Sequence, residues 1–294
     1  MIRKWVQGLM VLCFASFGLA QDLNWTPAGT GQLAIIQSVN APFPHPSRME
    51  GHLYGDSLYS FEDHYNDRSV AIFIPKDFKP KRHIDMVFYF HGWGNNIQKS
   101  ISQFDLLGQF SGSGKNAIFI FPQGPKNAKD SFGGKLEDPG IFKALVDEIL
   151  EMLQSEDVIH SLKPGKIILS GHSGAYHVIS SILNRGGLTE HITEVYLFDA
   201  LYGQLEKFGH WLEGQDGKLV NIVTPNGGTL DNSLDLLDDL SDWGIGFVAL
   251  EQDTVTVTDL SSAQVVTVFT SLGHSEVINP FFQRALESSG LNSY

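Results

Sequence analysis

Apolar residues are spaced along this chain in two ways. From Ser69 onward, short continuous apolar runs alternate with stretches in which apolar residues return every three or four positions. The runs at Ser69–Pro75, Ile84–His91, Asn116–Pro122, Lys166–Gly171, Glu194–Asp199, Leu219–Thr224, Phe247–Leu250 and Val265–Thr270 read as strands, several of them apolar on both faces. In residues 140–154, Ile141, Leu145, Ile149 and Leu153 recur at four-residue spacing while Asp147, Glu148 and Glu151 fall off that face, which predicts an amphipathic helix. Helices are also predicted over Ser100–Phe110, from Ala175 to Leu183, and around Gln204–Glu213. Strand alternating with helix predicts an α/β fold, a mostly parallel central sheet with helices on both faces. Residues 21–66 break the rhythm with Pro42, Pro44, Pro46 and several Gly and Asn. They read as an N-terminal extension or edge hairpin ahead of a single domain over residues 67–294.

One of these strands ends in chemistry. Lys166–Ser170 runs into Gly171-His172-Ser173-Gly174-Ala175, and helix-forming sequence follows. A serine on so tight a strand-to-helix turn needs small residues two before and two after it. Gly171 and Ala175 meet that demand, although Ala175 departs from the commoner final glycine. The turn lifts the Ser173 hydroxyl clear of the backbone and aims the Gly174 amide at a reacting oxygen. Two more strands end in functional-looking sequence, one in His91-Gly92-Trp93-Gly94 and the last in Ser271-Leu272-Gly273-His274. A serine hydroxyl is a poor nucleophile near neutral pH and needs a base, which in turn needs an acid to orient it. Ser173 reads as the nucleophile and His274, just past the final strand and beside Gly273, as the base. His172 adjoins the nucleophile but points elsewhere on such a turn, so it carries no proton-transfer role.

The elbow pentapeptide, the loop after Phe90, and the chain order serine, acid, histidine resemble the α/β-hydrolase superfamily. Over about residues 67–280 the chain is similar to secreted esterases of the feruloyl-esterase or polyester-depolymerase type. The resemblance implies an α/β-hydrolase fold and a carboxylic ester hydrolase working through an acyl-enzyme. It implies an oxyanion hole from the Gly174 amide and an amide of the His91–Gly94 loop, Trp93 or Gly92. For the acid, two residues compete. Asp199 ends an apolar strand, where a buried carboxylate needs a partner such as His274. Asp231 follows the next strand, the commoner position in the superfamily. Asp199 also matches a strand ending that such folds carry without catalytic duty, and Asp231 also suits a helix N-cap. Asp199 is the preferred assignment. His91, Gln123, Asp130 and Tyr202 are candidate substrate contacts.

Only 18 residues separate Asp199 from Lys218, room for one helix and not for a large lid. The polar stretch Gln123–Gly140, with four glycines, is the other candidate for covering the site. The same machinery suits amide or peptide bonds, and a non-catalytic binding protein on this fold would lack one of the three residues.

Composition narrows the setting. Arg3 and Lys4, the apolar stretch Leu9–Ala15 and the small-x-small Gly18-Leu19-Ala20 read as a signal peptide cleaved after Ala20, giving a secreted or periplasmic protein. Cys13, the only cysteine, leaves with it, so the mature chain has no disulfide. Loss of Arg3 and Lys4 takes the formal charge from −13 to −15. That charge argues against nucleic-acid partners and, together with the absence of a second long apolar run, against membrane insertion after signal removal. The partner expected is a small-molecule or polymer-attached ester. No metal-ligand spacing is present, and no glycine-rich segment follows a strand and opens a helix as a phosphate loop does, so no cofactor is implied.

Overall fold

The computed structural model describes residues 23–294; the leader, its cleavage point and Cys13 lie outside the described residues. The strands are β1 (Thr26–Ala28), β2 (Gly31–Gln37), β3 (His52–Tyr54), β4 (Ser57–Tyr59), β5 (Ser69–Pro75), β6 (Ile84–Phe90), β7 (Ile118–Pro122), β8 (Pro164–His172), β9 (Ile192–Phe198), β10 (Lys218–Val223), β11 (Phe247–Glu251) and β12 (Val265–Phe269). Ten of them form one sheet in the order β1-β2-β5-β7-β6-β8-β9-β10-β12-β11, and β3 and β4 form a separate hairpin. From β7 to β11 every neighbouring pair is parallel. The β1–β2, β2–β5 and β5–β7 pairs are antiparallel.

The two-residue period of a strand splits its side chains between two apolar layers. Along β6, Met86, Phe88 and Phe90 join one core, and Val87 and Tyr89 the other. The first core is covered by the helices Ile141–Ser155, Tyr176–Arg185, Leu205–Gly214 and Leu230–Trp243. The second is covered by Leu106–Gly112 and Ile278–Glu287. All seven residues of β6 are buried, which is why the strand is apolar except for Asp85, whose carboxylate accepts the Lys166 amide at 2.8 Å.

The structure departs from the sequence reading in three places. The hairpin expected within residues 21–66 is β1–β2, and it extends the same sheet through β2–β5 pairing, so the sheet begins well before residue 67. The helix expected over Ser100–Phe110 is two helices, Ile97–Gln103 and Leu106–Gly112, broken at Asp105. Asp105 takes φ 45°, a conformation a short polar side chain tolerates, and its carboxylate lies over Gly108, where a β-carbon would come within 2.3 Å of Oδ2. Gln123–Gly140 contains the 3-10 turn Gly134–Glu137 and is tied down along its length. The Lys135 amide bonds Pro42 O at 2.8 Å, the Asn127 amide bonds Asn95 O at 2.8 Å, and Asp130 pairs with Arg48 at 2.7 Å.

The C-terminal tail is fastened at the amino ends of the parallel strands. Lys115 Nζ donates to the carbonyls of Ser289 (3.0 Å) and Leu291 (3.3 Å), Lys166 Nζ to that of Gly290 (2.6 Å), and Lys218 Nζ to that of Ser288 (3.1 Å). The Gly290 amide donates to Glu194 Oε1 at 2.6 Å. Among the described residues no helix is long and apolar enough to cross a membrane.

Candidate active site

Ser173 follows the last residue of β8 and opens the single 3-10 turn Ser173–Ala175, which runs straight into the helix Tyr176–Arg185. Its φ is 55°, a left-handed conformation that costs a residue with a β-carbon about 1 kcal/mol. The turn closes because its flanks are small: a β-carbon on Gly171 would sit 2.5 Å from Ala175 Cβ. The amides that open a helix have no acceptor within it, so Gly174 N–H stands at the positive end of the helix beside the serine.

Across Ser173 lies the loop after β6. Gly92 approaches so closely that a β-carbon there would be 2.5 Å from Ser173 Cβ. Neither the Gly92 nor the Trp93 amide has a hydrogen-bond partner among the described residues. The loop is held from behind by a relay. Ile97 N–H donates to Gln123 Oε1 (3.1 Å), Gln123 Nε2–H to His91 Nε2 (2.8 Å), and His91 Nδ1–H to the Gly92 carbonyl (2.7 Å). Burial of His91 lowers its pKa to about 4, only partly opposed by the bond to Gly92, so the ring stays neutral and keeps one nitrogen as an acceptor for Gln123. The Trp93 indole N–H donates to Ser131 Oγ at 2.8 Å, and Tyr54 of the β3–β4 hairpin meets the indole edge-on at 5.0 Å between ring centroids.

His274 and Asp199 converge from the ends of β12 and β9, the two strands that flank β10 in the sheet. His274 Nδ1 lies 2.5 Å from Asp199 Oδ2. Asp199 is fully buried just past β9, at φ 46°. It also accepts bonds from the Thr224 hydroxyl (2.5 Å), the Thr224 amide (3.3 Å) and the Thr229 hydroxyl. Burial pushes the Asp199 carboxyl up, but the bonds from His274, Thr224 and Thr229 more than offset this, and its pKa lies below the ordinary carboxylate range. Gly227 leaves the space: a β-carbon there would fall 1.7 Å from Asp199 Oδ2. Asp231 is elsewhere, exposed on the first turn of Leu230–Trp243, whose N-cap position is Thr229. The segment expected to supply a second carboxylate or a capping aspartate instead supplies a hydroxyl to Asp199. His172 turns away from Ser173 and toward the His274 loop. Its Nε2 lies 2.8 Å from the His274 carbonyl oxygen, and the two rings are 4.5 Å apart at a 35° tilt.

A cavity of about 160 Å³ opens over Ser173, lined by Trp93, Ser131, Ser173, Gly174, Tyr176 and Tyr202. Of the four candidate substrate contacts, only Tyr202 borders it. Burial and then the Asp199 charge push its phenol up to about 12, and its hydroxyl donates to the Gly227 carbonyl. His91 and Gln123 are spent holding the Gly92 loop, and Asp130 is locked to Arg48 and to the Tyr65 hydroxyl (3.1 Å). Each is buried because it organises backbone, which removes it from contact with a ligand at Ser173. Sequence reading missed Ser131, Tyr176, Thr224 and Thr229. The first two lie on no motif, but Thr224 and Thr229 flank the end of a predicted strand, where hydroxyls near a candidate acid are a usable signal.

No family model matches the chain, and no curated protein matches it in sequence. Solved structures do match. A mutant feruloyl esterase module from Clostridium thermocellum, complexed with sinapinate, is similar at TM-score 0.54 and 8% identity, covering 90% of this chain and 93% of that one. Fluorophosphonate-binding serine hydrolase F from Staphylococcus aureus, with substrate bound, matches at TM-score 0.54 and 10% identity, covering 88% and 98%. An S-formylglutathione hydrolase from Agrobacterium tumefaciens matches at TM-score 0.52 and 10% identity, covering 89% and 95%. The chain has the α/β-hydrolase fold, with no large lid domain among the described residues.

Proposed function

We propose that this protein is a serine hydrolase that cleaves carboxylic esters through an acyl-enzyme on Ser173, with His274 as base and Asp199 as the orienting acid. The observation that carries the reading is the 2.5 Å contact between Asp199 Oδ2 and His274 Nδ1, made beside a serine held at positive φ on a strand-to-helix turn. A bond from Nδ1–H to a carboxylate leaves Nε2 bare to accept a proton and lowers the cost of the imidazolium that forms.

In the first half-reaction His274 Nε2 takes the Ser173 hydroxyl proton as Oγ bonds to the ester carbonyl carbon. The negative charge on the former carbonyl oxygen is met by the amides of Gly174 and of Trp93 or Gly92; losing one such donor typically costs about 10²–10³ in kcat. The intermediate collapses, the alcohol oxygen leaves with the proton from His274, and Ser173 remains acylated. Water then gives a proton to His274 Nε2 and attacks the acyl carbon, and the carboxylic acid departs as the proton returns to Ser173 Oγ. The structural neighbours whose printed names are esterases or serine hydrolases support this class of chemistry. We further propose that the protein acts outside the cytoplasm after removal of residues 1–20. Intact mass of the exported protein then gives Gln21 as the first residue; a mature chain retaining Met1 excludes the leader.

Reaction with a fluorophosphonate, followed by hydrolysis of p-nitrophenyl esters, tests the reading. Wild type is expected to be labelled at Ser173 and to turn over p-nitrophenyl acetate, and Ser173→Ala to do neither while keeping its melting temperature. Labelling or wild-type turnover in Ser173→Ala overturns it.

A further inference from the structure

His172 is an unusual neighbour for a nucleophile. It is polar, buried and next in chain to Ser173, yet its ring is aimed at the loop that carries His274. A carbonyl oxygen only accepts, so the 2.8 Å contact with the His274 carbonyl means that His172 Nε2 carries the hydrogen and donates it. The ring then packs at 4.5 Å on the His274 imidazole, with the Phe104 ring 5.8 Å away. Burial first, and the adjacent His274 second, hold the His172 pKa down at about 4, so the ring adds no charge beside the base. The titratable groups facing it are His274, Asp199 and His91.

His274 sits on a short loop between β12 and the helix Ile278–Glu287. That loop has its own internal bonds, from the Gly273 amide to Glu276 Oε2 (2.7 Å) and from the Glu276 amide to the Gly273 carbonyl (2.8 Å). They shape residues 273–276, whereas the start of the loop is tied to the sheet by Thr270 N–H on the Val223 carbonyl (3.0 Å) and Ser271 N–H on Asp253 Oδ1 (2.7 Å). Asp199 grips the imidazole at Nδ1, which sets its tautomer but leaves the ring free to swing about that point. Ser173 Oγ makes no hydrogen bond to His274 Nε2 in this structure. The link from the nucleophile's own strand to the base's backbone is the one that His172 makes.

We infer that His172 is a positioning residue: by donating Nε2–H to the His274 carbonyl, it sets the separation of base and nucleophile from the position adjoining the nucleophile. This rests on the serine-hydrolase reading above. Because one peptide bond joins His172 to Ser173, any movement of the elbow carries the base loop with it. Reacting groups must be held within a fraction of an ångström to keep their advantage, and this contact does so without touching substrate.

Two substitutions separate the bond from the ring. His172→Phe keeps an aromatic ring on His274 and removes the donor. His172→Gln keeps a donor at nearly the same reach and removes the ring. With p-nitrophenyl acetate, His172→Phe is expected to lower kcat about tenfold, the worth of roughly one hydrogen bond, with KM within about twofold. His172→Gln recovers most of that loss. Since His172 does not titrate in the working range, the loss in His172→Phe is the same at every pH and the acid limb of kcat/KM keeps its midpoint. Hydrogen exchange of the 273–276 amides accelerates in His172→Phe and not in His172→Gln, with melting temperatures of both confirming a folded chain. Wild-type kcat in His172→Phe, equal losses in both variants, or unchanged exchange overturns the inference. An inert, unlabelled wild type instead overturns the serine-hydrolase reading, and the exchange measurement still decides whether His172 holds the loop.

Discussion

At the scale of single residues, the site depends on a buried carboxylate surrounded by donors. Asp199 accepts from one imidazole, one amide and two hydroxyls. Replacing it by Asn removes the charge that stabilises an imidazolium, and Asp199→Asn is expected to lose at least tenfold in kcat/KM, about 1.4 kcal/mol of transition-state stabilisation. Asp231→Asn, on an exposed helical turn, is expected to match wild type. The reverse ranking on a p-nitrophenyl ester transfers the acid role. The same donors make a statement about pH. Asp199 ionises below the ordinary carboxylate range in the folded chain. The folded state therefore gains stability above the range in which the unfolded carboxyl titrates, and loses it as pH falls toward the folded value. Thr229→Val removes one donor and moves the folded pKa back up. The gap in melting temperature between wild type and Thr229→Val is expected to be widest near neutrality and to narrow between about pH 5 and pH 3. A gap constant over that range shows that Thr229 acts by packing alone.

At the scale of elements, what could be read in the sequence depended on periodicity. Buried parallel strands such as β6 and β7 announce themselves because every residue, Asp85 of β6 apart, is apolar or aromatic, and the elbow is recognisable because small residues at Gly171 and Ala175 are a steric requirement around Ser173. Elements held by polar contacts are silent. β2 carries a glycine and two glutamines among its seven residues and is largely exposed on one face, so residues 31–37 do not read as a buried strand of the main sheet. Asp105 breaks a helix by conformation and not by composition. Gln123–Gly140 looks like a free polar loop, yet the Asp130–Arg48 pair, flanked by the Arg48 guanidinium 4.6 Å over the Phe132 ring, makes it a fixed wall. That wall carries Ser131, which steadies Trp93. Arg48→Ala leaves Asp130 buried with its charge unmatched and is expected to cost about 3 kcal/mol in urea unfolding. Ester turnover falls with it as Trp93 loses its anchor, and Arg48→Ala with Asp130→Asn recovers more than half of the stability. Loss below about 0.5 kcal/mol would mean that the pair is as weak as a solvent-exposed one.

At the scale of the whole molecule, the site lies at the carboxyl ends of the parallel strands, where folds of this kind gather their loops. The connection after Asp199 carries the helix Leu205–Gly214 and no larger covering element. The cavity of about 160 Å³ is close to the size that holds one benzene ring. Activity is expected to fall at least tenfold from p-nitrophenyl butyrate to palmitate, without a jump when substrate forms micelles; preference for palmitate makes the Gln123–Gly140 wall a moving cover. The opposite end of the sheet has a consequence of its own. The ammonium groups of Lys115, Lys166 and Lys218 clasp the carbonyls of residues 288–291, at the far edge from Ser173. Cutting the chain after Glu287 removes these carbonyl acceptors, leaving Lys218 only its pair with Glu194 at 3.6 Å, and is expected to lower the melting temperature and to empty the soluble fraction. A flexible linker joined after Tyr294 leaves the clasp closed. Tethered to a bead or electrode through such a linker, the protein presents its cleft outward, and immobilised turnover is expected to match that in solution; attachment through an exposed side chain such as Lys129, over the Tyr54 ring beside Trp93, is expected to blind it.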